Sequence, residues 1–141
     1  MTILIGIILS LIFIAISLLH FYWAIGGRWN FLSVVPTKET GERIMNPGTF
    51  SSIVVSIGLF LFAILILIKT NLISINIPMW LFNYGCWILA LIFIARAIGD
   101  FKYVGFFKKI KDTDFGKADT KYFSPLCLFI GVLCIVLEWV R

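Results

Sequence analysis

Between Thr2 and Ile25 the chain carries no charged residue. That run exceeds the ~20 apolar residues a helix needs to cross a bilayer. Three further apolar runs follow, over 49–68, 77–98 and 123–140, with Arg96 and Glu138 the only charged residues in them. A chain that is 61% hydrophobic and 13% charged, with mean hydropathy +1.06, has too little polar surface to coat a water-soluble globule. The four runs therefore predict an all-α integral membrane protein. It is a single domain over 1–141, a four-transmembrane-helix bundle joined by loops at 28–48 and 99–122. Ala24-Ile25-Gly26 faintly resembles a signal-peptide cleavage site, but no basic segment precedes the run and the run is too long. It is read as a retained first helix whose end frays at Gly26-Gly27. Pro36, Gly41, Pro47 and Gly48 break the chain before the second span.

The charges are unevenly distributed. Seven of the twelve Lys and Arg residues, and four of the seven acidic ones, fall between Arg96 and Leu126. With four spans the two termini share a side. The first and third loops together hold Arg28, Lys38, Arg43, Arg96, Lys102, Lys108, Lys109, Lys111, Lys117 and Lys121, against Lys69 and Arg141 on the other side. The positive-inside rule puts the long basic loops in the cytoplasm and both termini outside, in a multi-pass protein of the plasma membrane. The net charge of +5 is thus a lipid-facing signal and not a nucleic-acid one. Expected partners are membrane lipids, anionic ones included, and a second copy of the chain.

Membrane helices pack through small and weakly polar residues, since lipid is as apolar as leucine. At about 100° per residue, Gly6, Ser10, Ser17, His20, Ala24 and Gly27 form one stripe on the first span. Ser52, Ser56 and Ala63 do so on the second, Asn83, Trp87, Ala90 and Ala97 on the third, and Ser124, Cys127, Gly131, Cys134 and Glu138 on the fourth. These stripes predict the bundle interior. Tyr103, Phe106, Phe107 and Ile110 follow helical spacing with Lys102 and Lys108 projecting elsewhere, which predicts an amphipathic helix lying in the membrane interface between the third and fourth spans.

Candidate site residues gather at the ends nearest the long loops. His20 is the one histidine, and an ionisable group at membrane depth is a functional hypothesis by default. Arg96 and Asp100, four apart, are placed to pair. With His20 they predict a polar cluster able to grip a phosphate or carboxylate, bordered by Trp23, Arg28, Lys102, Tyr103 and Lys108. Asp112, Asp114 and Asp119 lack calcium-loop spacing, and Asp119 or Thr120 is expected to shape the start of the fourth span. Cys86, Cys127 and Cys134 sit in apolar runs without CxxC spacing, so neither a metal nor another cofactor is expected.

Two stretches carry a resemblance. HFYWAIGGRW (20–29) and RAIGDFKYVGFFKKIKDTDFGKADTKYFSPLCL (96–128) resemble the bacterial membrane-protein family catalogued as domain of unknown function 3995. The shared elements are His20, Trp23, Gly26, Gly27 and Trp29, then the segment Gly99 to Lys108, then Asp119, Thr120, Tyr122 and Pro125 to Cys127. The resemblance implies four spans and brings no reaction. The leading functional expectation is a binding or modulating protein with a cytoplasmic-face pocket for a lipid head group or small anion. One alternative is a small enzyme acting on a lipid or isoprenoid with His20 as acid–base group. Another is a proton- or ion-coupled transporter subunit using a route from Asp100 and His20 through Asn83 to Glu138.

Overall fold

The computed structural model describes residues 1–29, 35–40, 42 and 48–141. Gly41, Arg43 and Pro47 of the expected first loop lie outside the described residues. Helices α1 (Thr2–Ala24), α2 (Thr49–Lys69) and α3 (Met79–Ile98) are each long and apolar enough to cross a membrane. The fourth crossing is compound: a short α4 (Asp114–Ala118), a π-helical turn (Asp119–Phe123) and α5 (Ser124–Val140) run on as one helical stretch. Pro125 causes the interruption. It sits inside this stretch and has no N–H for the carbonyl one turn back, and the widened turn just before it absorbs the missing bond.

The helices associate in two closely packed pairs, α1 with α2 and α3 with α5, with sparser packing between the pairs. Small residues set the first pair. Ser17 Oγ donates to the Ser56 carbonyl at 2.7 Å, and Ser56 Oγ donates to the Ser17 carbonyl at 2.9 Å. Ser10 Oγ reaches the Ala63 carbonyl at 3.4 Å. In the second pair α3 comes close to Gly131, where an added Cβ would lie 2.5 Å from the Ile94 side chain. Where the two pairs meet, Phe13 packs against Phe62 and Phe93 at centroid distances of 5.8 and 5.5 Å.

The expected stripes of α1, α2 and α5 face this interior. Gly6, Ser10, Ser17 and Ala24 are buried, as are Ser52, Ser56, Ala63, Ser124, Gly131 and Cys134. The α3 stripe is corrected. Ala90 and Ala97 are buried, but Asn83 and Trp87 are exposed on the outer surface. The polar route expected through Asn83 to Glu138 is not assembled. Glu138 instead pairs with Lys69, whose side chain is fully buried, and with Arg141 at 2.8 Å. Lys69 also donates to the Phe82 carbonyl, tying α2 and α5 to the start of α3.

Two further expectations change. The end of α1 is not frayed. Gly26, at φ +101°, adopts the left-handed conformation, and Gly26 and Gly27 donate to the Trp23 and Tyr22 carbonyls, a Schellman stop. The interfacial helix over Tyr103–Ile110 is absent. Residues 99–113 form an irregular, tightly bonded loop. Ser17→Ala and Ser56→Ala, each read by unfolding in mixed micelles, should each cost about 0.6 and at most about 1.7 kcal/mol through the lost bond to the facing carbonyl. No measurable loss in either variant would show that the serine pair does not hold α1 to α2.

Candidate functional site

At the long-loop end, the loop after α3 is built around two carboxylates. Asp100 Oδ1 accepts from the backbone N–H groups of Lys102, Tyr103 and Val104 at 2.8–3.0 Å. Desolvation at this exposed position opposes the charge of Asp100, but the three donors outweigh it and hold the carboxyl below its usual range. The nest curls the chain so tightly that helix is impossible here. Phe101 is held at φ +65°, a conformation costing about 1–2 kcal/mol in a residue with a Cβ. The curl brings Gly105 onto Gly99. A Cβ at Gly99 would lie 1.8 Å from the Val104 oxygen, and one at Gly105 would lie 2.3 Å from the Ile98 oxygen, so only glycine fits at either place. Phe106 N–H then bonds the Ala97 carbonyl at 2.8 Å, covering the end of α3.

Asp119 is the second carboxylate and is wholly buried. Its Oδ1 accepts from Arg96 Nη2 at 2.8 Å. Its Oδ2 accepts from the Gly105 N–H at 2.8 Å and from Ser124 Oγ at 3.0 Å, and it faces Lys108 Nζ at 3.1 Å. The Lys108 side chain is also fully buried, and its ammonium donates to the Gly105 carbonyl at 2.9 Å and to Thr120 Oγ1. One carboxylate thus joins the end of α3, the loop, and the π turn leading into α5.

Beside this cluster, between the two helix pairs, lies a cleft of about 590 Å³. Its walls are largely apolar, with Leu59, Phe62, Phe93 and Ile130 deep in it and Val55 and Ile92 at exposed rim positions on α2 and α3. His20, Trp23 and Arg96 also line it. His20 Nδ1 is 2.9 Å from the Ile16 carbonyl, an acceptor only, so Nδ1 carries a proton and Nε2 is the ring nitrogen left without a protein partner among the described residues. Trp23 packs edge-on to His20 at 5.2 Å and donates to the Trp29 carbonyl at 2.9 Å. Arg96 lines the cleft and also reaches Asp119. Its Nη2 is engaged by Asp119, while its buried Nη1 has no hydrogen-bond partner among the described residues.

Of the residues the sequence singled out, His20, Trp23 and Arg96 share the cleft, and Lys108 joins Arg96 through Asp119. The expected Arg96–Asp100 pair is not formed, because the backbone captures Asp100 and Asp119 captures Arg96. Arg28 is exposed beyond α1. Lys102 is exposed, its ammonium 5.1 Å from the Tyr103 ring, and neither residue lines the cleft. Sequence reasoning overlooked Asp119 as the centre, and with it Gly58 and Cys127 as lining residues. The available signal was the spacing of Asp119 five residues before the buried serine of α5. Among the described residues no group of three or more His, Cys, Asp or Glu side chains is placed to hold a metal ion.

Removing one partner of a buried ion pair leaves an uncompensated charge, at a cost of about 3–5 kcal/mol. Asp119→Ala is expected to lose that much in unfolding free energy, while Asp112→Ala, at an exposed position, stays within about 0.5 kcal/mol of wild type. Equal stability of the two variants would remove Asp119 from its central place.

No curated protein and no solved structure matches the chain. Residues 13–134 match the family described as "Protein of unknown function (DUF3995)". That span takes in both motif stretches, the cleft-lining ends of all four crossings and the whole Asp119 cluster, and the chain belongs to this family.

Proposed function

We propose that the protein is a membrane binding protein whose cleft takes an amphiphile from the bilayer and holds its acidic head at Arg96. The observation that carries this reading is the buried, unpartnered Nη1 of Arg96 beside a large apolar cleft. A buried donor without an acceptor is costly, and an oxyanion at this position would satisfy it. The apolar walls suit an acyl or prenyl chain. Val55 and Ile92, each more than 40% exposed on different helices, suit a side opening towards lipid. His20, with Nδ1 held by the Ile16 carbonyl, leaves Nε2 for a head-group hydroxyl. The same nitrogen is what an acid–base enzyme would use, and this keeps lipid chemistry as the second reading.

Gly58 offers a clean test. It lines the cleft, and an added Cβ there would meet nothing within 4 Å. Gly58→Phe should fold normally while filling the cavity. Native mass spectrometry of detergent-purified protein should show bound lipid in the wild type and several-fold less in the variant. Equal lipid in both would overturn the proposal.

The reading also takes the long-loop end as cytoplasmic, in the plasma membrane, so that the acidic heads of the inner leaflet meet the basic loops. Alkaline phosphatase fused after Arg141 should then be active and a green fluorescent protein at the same place dark. The opposite result would reverse the orientation.

A further inference from the structure

We infer that the cleft selects a head group bearing a single negative charge, of the carboxylate or phosphodiester kind, over a dianionic phosphomonoester. The inference rests on the cleft being an amphiphile site and concerns only what that site prefers. Arg96 and Lys108 bring two positive charges to the cluster and Asp119 one negative charge, leaving one unbalanced positive charge. The side chains of Lys108 and Asp119 are fully buried and that of Arg96 is 33% exposed, so water screens the excess only from the guanidinium side.

The donor inventory narrows the choice further. An ammonium has three hydrogens. Those of Lys108 are taken by the Gly105 carbonyl, Thr120 and Asp119, so Lys108 contributes charge but no contact. Arg96 gives one Nη2 hydrogen to Asp119, and its Nη1 is buried without a partner among the described residues. The site therefore offers one net positive charge, carried by a single guanidinium. A monoanion brings the cluster to neutrality and pairs Nη1. A dianion brings a second negative charge that nothing in the cluster balances, next to the Asp119 carboxylate on the same guanidinium. A zwitterionic head returns a positive charge to a place that already has an excess.

Cys127 provides the readout. It lines the cleft and is partly accessible, whereas Cys86 and Cys134 are fully buried. The intact protein in neutral detergent would be alkylated with N-ethylmaleimide at about pH 8, where a phosphomonoester carries nearly two charges. Four probes with the same oleoyl tail would compete: oleate, lysophosphatidylglycerol, lysophosphatidic acid and lysophosphatidylcholine. Oleate or lysophosphatidylglycerol should protect Cys127 at about tenfold lower concentration than the other two. Which of the pair protects better distinguishes a free carboxylate from a lipid phosphodiester as the natural head. Protection by lysophosphatidic acid as good as or better than both, or equal protection by all four, would overturn the inference and leave the cleft as a binding site. No protection by any probe, or the same protection in Gly58→Phe, would overturn the binding reading itself.

Discussion

A buried carboxylate in a membrane protein is held only if every one of its acceptor positions is answered. Asp119 meets that condition with a guanidinium, an ammonium, a backbone N–H and a hydroxyl. The rest of the long-loop end follows from it. Arg96 is kept at the end of α3 facing the cleft. Gly105, laid onto Gly99 by the curl around Asp100, is anchored there through its N–H. Lys108 is drawn from the surface into the interior. The π turn at Asp119–Phe123 lets the helix pass Pro125 with the carboxylate still inside.

The opposite end is closed by the same physics with different partners. Lys69 and Glu138 are buried against each other, with Arg141 outside them and the Phe82 ring within cation–π reach of both cations, at 5.2 and 4.6 Å. Between these ends the helices need little polar help. Serines and glycines let α1 meet α2 and α3 meet α5, and the three phenylalanines fill the centre. The cleft forms where the two pairs come together above those rings.

This division explains which expectations held. The spans, and the inward faces of α1, α2 and α5, were legible because each depends on a helical period and on side-chain size alone. The face of α3 was misread because a helix packed closely against only one neighbour leaves even Asn83 and Trp87 outside. The loop was misread as an amphipathic helix because Tyr103, Phe106, Phe107 and Ile110 do keep helical spacing. Spacing does not register that an aspartate can take three consecutive N–H groups away from a helix. The Arg96–Asp100 pairing failed for a related reason. Four-residue proximity along a helix is a weak claim, and both partners found stronger ones elsewhere.

By itself the sequence determined that the chain is a four-helix membrane bundle with its charge concentrated beside the third and fourth crossings. Hydrophobic length and small-residue periodicity are local quantities, and the bilayer leaves few other solutions for such a chain. Only the tertiary structure decided which charges are buried, that Asp119 and not Asp100 holds Arg96, and that His20 and Arg96 share one cleft. Those outcomes depend on competition among donors and acceptors far apart in the chain. In a medium that offers few substitutes for a lost hydrogen bond, the winner of that competition sets the shape of the site.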